Sequence, residues 1–213
     1  MTDKKLLARA YEVKTLQETE RLYDDWAATY DSELIENGYM TPQRCADVLA
    51  ALAVGRAGPT IDLGCGSGQC GQALKMAGFG PLDGADYSEG MLGMAAQTGC
   101  YRTLGRCNLM EPLGGQITRD AGFSAPYRNA VAAGVLNPAH TEPSAIANIL
   151  EIVAPGGLFV FSLNDHVYPG GGYQEAIAEK EADGAVRTVF KSYGGHIPQR
   201  GLNAWVVALQ KAG

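Results

Sequence analysis

The sequence predicts an α/β fold: a doubly wound, mostly parallel seven-stranded sheet with an antiparallel C-terminal edge hairpin. Three observations predict it. From residue 60 onward, short apolar strand-like runs alternate with helical patterns, a rhythm that builds parallel strands covered by helices on both faces. The last two runs succeed one another across a short Gly/Pro loop, as an edge hairpin does. Between the first run and the first helix of this region lies a crowded glycine turn, T-I-D-L-G-C-G-S-G-Q-C-G over Thr60–Gly71.

Residues 1–55, at the start of the chain, are helical in pattern: Leu6, Leu7, Ala10 and Val13 share one face, and Leu16, Thr19, Tyr23, Trp26, Ala27 and Tyr30 share another. A third helix is expected with Thr41 as N-cap and Pro42 at its first position, carrying Cys45, Val48, Leu49 and Leu52 and ending at Gly55. Strands are expected at Thr60–Leu63, Leu82–Asp86, Arg102–Cys107, Ala130–Leu136, Leu158–Leu163, Ala185–Tyr193 and Leu202–Leu209. Helices at Gln69–Ala77, Glu89–Gln97 and Pro143–Val153, with a weak one near Glu111–Ala121, separate the first five. A Gly/Pro stretch around Pro169–Gly172 leads out of the fifth strand, and Gly194–Gly201 forms the hairpin loop.

At 213 residues the chain reads as one domain, with residues 1–55 as its N-terminal helical part and 56–213 as the α/β core. A net charge of −6 disfavours nucleic acid or an anionic membrane as the main partner. No signal-peptide core and no bilayer-length apolar run is present, so a cytoplasmic protein is expected, as a monomer or weak homodimer. The five cysteines form no C-x-x-C pair and have no zinc-like spacing, so reduced thiols and no metal are expected.

Two cofactors fit the glycine turn on residues alone. Gly66-Ser67-Gly68-Gln69-Cys70-Gly71 is a literal G-x-G-x-x-G, in which a pyrophosphate would sit over the adjoining helix N-terminus. Asp86 ends the second strand-like run, eighteen residues after Gly68, as a ribose-binding carboxylate should. An NAD(P)-dependent oxidoreductase is therefore one reading, although no Tyr-x-x-x-Lys pair occurs.

The motifs also resemble those of the class I S-adenosylmethionine-dependent methyltransferases. Asp62, Gly64, Gly66 and Gly68 match D-x-G-x-G-x-G one for one, and Gly84–Leu92 is similar to G-x-D-x-S-x-x-M-L. Ala154-Pro155-Gly156-Gly157 resembles the family's P-G-G turn. Tyr23–Asp31, Y-D-D-W-A-A-T-Y-D, resembles the signature of the Williams–Beuren methyltransferase-like small-molecule subgroup.

The resemblance implies an S-adenosyl-L-methionine site. Its cofactor-binding residues would be Asp62, Gly64, Cys65, Gly66, Gly68, Asp86, Tyr87, Met91, Cys107, Asn108, Leu109 and Gly134. Asp86 would take the ribose hydroxyls, Asp62 the ammonium, and Tyr87 with Met91 would flank the adenine. Asn108 stands where the family usually has Asp, and its amide offers both an acceptor and a donor to the adenine. Tyr127-Arg128-Asn129 replaces an aromatic–Asp pair at the fourth strand.

The resemblance also implies an N-terminal helical lid, with Tyr23, Trp26, Tyr30 and Tyr39 toward the cofactor or acceptor. An ordinary packing stripe accounts for the same spacing. A small-molecule acceptor would enter beyond strands four and five, near Asn137 and Asn164. His140 is the candidate general base, because its ordinary pKa suits proton removal at neutral pH; a helix-bracing role fits it equally. His166 lies in an exposed loop, and His196 is expected as solvated surface in the hairpin loop. A non-catalytic module that keeps the cofactor pocket is a further reading.

Overall fold

A computed structural model describes residues 18, 22, 31–137, 141–168 and 170–213. The sequence expectations for Tyr23, Trp26, Tyr30 and His140 lie outside the described residues.

Seven strands form one sheet in the order β3-β2-β1-β4-β5-β7-β6, with β1 Thr60–Leu63, β2 Leu82–Asp86, β3 Thr103–Arg106, β4 Tyr127–Ala132, β5 Val153–Asn164, β6 Val186–Ile197 and β7 Leu202–Lys211. β1 to β5 pair in parallel, whereas β7 runs antiparallel to both β5 and β6. The sheet starts in its middle at β1, winds out to β3, then crosses back to β4. That reversal puts the carboxyl ends of β1 and β4 side by side, the place where open α/β sheets take ligands.

Among the described residues, besides helical residues 31–36, the helices on the sheet are α1 Thr41–Leu52, α2 Gln69–Met76, α3 Glu89–Gln97, α4 Ala145–Ile152 and α5 Tyr173–Ala182. One core layer packs Leu49 of α1 and Leu74 of α2 on Val131, Val160 and Val206. The opposite layer packs Ile146 and Ile149 of α4 on Ile61, Phe159, Phe161 and Leu209. β1 is buried along its whole length although its sequence T-I-D-L alternates polar and apolar, so Thr60 and Asp62 are polar groups held inside the core.

The boundaries of β1, β2 and α3 match the sequence expectation residue for residue, but several others move. β4 covers Tyr127–Ala132 rather than Ala130–Leu136, because Tyr127 is itself wholly buried and pairs with Val153. The expected helix near Glu111–Ala121 reduces to a 3₁₀ turn at Leu113–Gly115, a stretch with two glycines and the preceding Pro112. β5 starts at Val153 and takes in the Pro-Gly-Gly segment, which makes an irregularity between the Val153 and Leu158 pairings. β6 runs on through Gly194 and Gly195 to Ile197, so the hairpin loop shrinks to Pro198–Gly201. α1 ends at Leu52 rather than Gly55, and Thr41 is its first residue rather than its cap.

Candidate cofactor site

The turn from β1 into α2 is built from differently used glycines. A Cβ on Gly64 would come within 2.5 Å of Val135, so that position serves close packing against the exit of β4. Gly66, at φ +52°, would direct a Cβ into space with no protein atom within 4 Å. Its backbone is thus open to a ligand where the turn faces the cleft. Gly71 is different again, since a Cβ there would fall 2.2 Å from the Tyr101 hydroxyl.

Tyr101 is a residue that sequence reasoning missed. It lies just before β3, its ring passes close to Gly71 and Gly84, and its hydroxyl donates to Asp62 Oδ2 at 2.7 Å. Asp62 has no exposed surface, and its Oδ1 accepts no hydrogen bond of ordinary geometry. Burial pushes its carboxyl up to about 6, against the Tyr101 hydroxyl, which holds it down. The Cys70 thiol and the Gly71 N–H also lie near this carboxylate and act in the same direction as the Tyr101 hydroxyl.

Asp86 ends β2, half-buried. Its Oδ2 accepts from the Gly66 N–H at 2.8 Å and its Oδ1 from the Ser88 N–H at 2.9 Å, so two backbone donors fix the carboxylate plane. Each oxygen has further acceptor capacity for vicinal hydroxyls. Ser88 caps α3 through its hydroxyl, which accepts from the Met91 N–H at 3.1 Å. Met91 is almost wholly buried, and the Arg106 guanidinium stacks 4.5 Å from the Tyr87 ring centre.

Several predicted residues are packed into the core beneath the turn. Cys65 packs with Leu92 and Ala95, while Cys107 and Leu109 belong to the layer under α4. Burial pushes the Cys107 thiol up to about 12, which leaves it a neutral packing group. The Asn108 amide, expected on the adenine, also has partners within its own loop. Its Oδ1 accepts from the Met110 N–H at 3.0 Å, and its Nδ2 donates to Glu111 at 3.0 Å. These bonds brace that loop.

On the acceptor side, Tyr39 joins Pro42, Gly64, Gly66, Ser67 and Gln69 around the cleft. Its hydroxyl lies 2.1 Å from where a Cβ on Gly134 would be, so it rests directly against that glycine. The Gly134 N–H in turn donates to Ser162 Oγ at 2.8 Å, which ties β4 to β5. The Asn137 N–H donates to Thr141 Oγ1 at 3.0 Å, and the Thr141 N–H donates to the Asn137 carbonyl at 2.7 Å. Asn164 is buried and accepts the His166 N–H, so it shapes the turn that leaves β5.

His196 is not solvated surface. It is 4% exposed, because β6 extends far enough to carry it under α1. Its Nδ1 lies 2.7 Å from Thr41 Oγ1, and its ring meets Tyr39 edge-on at 5.2 Å. Burial, with the Arg44 guanidinium nearby, lowers it to about 4, so it is neutral at pH 7.

Comparison with known proteins agrees with this geometry. No family model matches the chain. It is 31% identical over 152 residues to human methyltransferase-like protein 27, a match covering 70% of the chain and 59% of the relative. The chain therefore spans less than two thirds of that relative's length. The fold is similar to that of Burkholderia thailandensis 1,6-didemethyltoxoflavin-N1-methyltransferase with bound S-adenosylhomocysteine (TM-score 0.63, 20% identity, covering 93% of this chain and 91% of that one). It is also similar to a TehB-like S-adenosylmethionine-dependent methyltransferase from Corynebacterium glutamicum (TM-score 0.61, 17% identity, 88% and 97% covered). A third similar structure is the Synechocystis magnesium protoporphyrin IX methyltransferase (TM-score 0.57, 16% identity, 80% and 83% covered). The chain thus carries the class I S-adenosylmethionine-dependent methyltransferase fold together with that family's glycine turn and second motif.

Proposed function

We propose that the chain binds S-adenosylmethionine at the β1/β2/β4 end of the sheet and transfers its methyl group to a small organic acceptor. The observation that carries this reading is the pairing of Asp86, fixed by the Gly66 and Ser88 N–H groups, with the unpartnered Oδ1 of buried Asp62. One carboxylate suits a ribose diol and the other an ammonium, the two polar ends of that cofactor. The sulfonium, when bound, supplies an activated methyl group with its leaving group already attached.

The protein's part is alignment and exclusion of water. Gly66 gives the close approach, Asp86 fixes the ribose, and Asp62 holds the amino-acid end. Tyr87 and Met91 are assigned to the adenine side. Tyr39, resting on Gly134, borders the path by which an acceptor reaches the carboxyl ends of β4 and β5. Asn137 and Asn164 sit at those ends, and His140, between Asn137 and Thr141 in sequence, is assigned as the base for acceptors that must lose a proton. Tyr23, Trp26 and Tyr30 are assigned to the lid.

A small acceptor is favoured by the net charge of −6, which suits neither nucleic acid nor an anionic membrane surface. No helix among the described residues is long and apolar enough to cross a membrane. A cytoplasmic, monomeric or weakly dimeric single domain is the matching setting.

Isothermal titration with S-adenosylhomocysteine tests the cofactor assignment. Binding is expected, weakened at least tenfold in Asp86→Ala; absence of binding to the wild type sinks it. A methyl-transfer screen over small metabolites with labelled cofactor then tests catalysis. Transfer to none of them, with cofactor bound, would favour the non-catalytic module.

A further inference from the structure

The literal G-x-G-x-x-G of Gly66–Gly71 has an occupant of its own. Asp31, in the helical residues 31–36, places Oδ1 2.5 Å from Ser67 Oγ and 2.7 Å from Gln69 Nε2. Ser67 and Gln69 are the two residues that flank Gly68, and Gln69 is the first residue of α2. Both side chains donate to the same carboxylate oxygen. In a dinucleotide fold this seat, at the positive end of the helix, belongs to the pyrophosphate. Here the protein fills it with a carboxylate from its own N-terminal segment.

We propose that Asp31 is a specificity-determining residue: it blocks the phosphate seat and turns the glycine motif from nucleotide phosphates toward an adenosine ligand bearing a sulfonium at its 5′ position. Two effects act together. The carboxylate engages the Ser67 hydroxyl and the Gln69 amide, the side-chain donors beside that seat, and it repels any phosphate that approaches. A sulfonium meets the opposite field. The same contact attaches residues 31–36 to the cofactor turn, so ligand choice and placement of the N-terminal segment share one side chain.

The proposal rests on the S-adenosylmethionine reading, and three ligands separate the two. Adenosine, ADP and S-adenosylhomocysteine share the adenosine half and differ in the group carried at its 5′ position. In isothermal titration at low ionic strength, wild type should bind S-adenosylhomocysteine and should bind ADP at least tenfold more weakly than adenosine. Asp31→Asn keeps the shape and removes the charge. It should shrink the ADP-to-adenosine gap at least tenfold while adenosine itself moves less than threefold; Asp31→Glu should retain the gap. If Asp31→Asn does not fold, Asp31→Ser reads the same ratio. An unchanged ratio in the neutral variant, or wild-type binding of ADP as tight as adenosine, overturns the proposal. Wild type that binds no S-adenosylhomocysteine overturns the underlying cofactor reading first, before any variant is made.

Discussion

Asp62 and Asp83 lie on neighbouring parallel strands, both with no exposed surface, and each accepts a tyrosine hydroxyl. Beyond that the two carboxylates diverge. Asp83 takes both Nε and Nη2 of Arg102, the Tyr127 hydroxyl at 2.6 Å and the Ser124 N–H at 3.2 Å. Its lone pairs are spent on tying β2 to the start of β3 and of β4. Asp62 has the Tyr101 hydroxyl on one oxygen, no hydrogen bond of ordinary geometry on the other, and only the weak Cys70 thiol and the Gly71 N–H nearby; no basic side chain of the described residues pairs with it. Burial alone therefore does not tell a structural acid from a ligand-ready one. The completeness of the partner set does.

The contrast can be broken most sharply at Asp83. Asp83→Ala strands a guanidinium, a hydroxyl and an N–H, and should cost about 3 kcal/mol in urea unfolding. That is the low end for a broken buried pair, because the Arg102 side chain is 42% exposed. Affinity of the folded fraction for S-adenosylhomocysteine should change less than threefold; a larger loss would make Asp83 part of the site.

The pH dependence comes next in size. Asp62 is raised to about 6, so its contribution to stability is present below its unfolded pKa and lost as pH climbs through 6. His196 is depressed to about 4, so its contribution is full above its unfolded value and lost as pH falls toward 4. Over pH 4 to 6 the two slopes oppose one another, each worth roughly 2–3 kcal/mol. The stability of the wild type should be nearly flat there by these two groups. Asp62→Asn should leave a curve rising with pH, and His196→Gln one that falls. Parallel curves for both variants would remove the assigned shifts.

At pH 7, Asp62→Asn should stabilise the protein by about 1–2 kcal/mol, since a poorly solvated charge disappears. It should also weaken S-adenosylhomocysteine at least tenfold. Stability gained with affinity unchanged would detach Asp62 from the ligand. Smallest of all is the tyrosine pair. Tyr101→Phe should cost about 1–2 kcal/mol and Tyr127→Phe less, because Asp83 retains other donors. Equal costs, read from denaturant midpoints, would mean that the partner sets are not the distinction.

The part of the molecule legible in the sequence is the part encoded locally. β1, its glycine turn and the Ser88 cap are contiguous residues whose backbone demands show in the residue types. Asp86 was visible because its spacing from the turn is set by one helix and one strand. Tyr101, Asp83 and Asp31 were not visible, since each acts across 19 to 44 positions on partners the topology alone brings near. His196 shows the same limit in reverse. A histidine beside two glycines and a proline reads as loop, yet Arg44 of α1 donates to the carbonyls of Ser192, Gly194, Gly195 and Ala204 and holds that strand in the sheet. Arg128, which stands where the acid of an aromatic–Asp pair is expected, turns outward and donates to the Val54 carbonyl at 3.4 Å, while the next residue, Asn129, is buried and donates to Thr60 Oγ1.

Gly71 is the footprint of one aromatic ring, and Gly84 is shared between that ring and Leu104. An alanine at either would collide with Tyr101, and Tyr101 is there to reach Asp62. The four positions should consequently drift as a set through evolution. A lineage that trades the tyrosine for a smaller side chain frees Gly71, leaves Gly84 held by Leu104, and leaves the acid in need of a new donor. Part of a glycine-rich signature that invites a ligand interpretation is, in this chain, a record of accommodation to a neighbour.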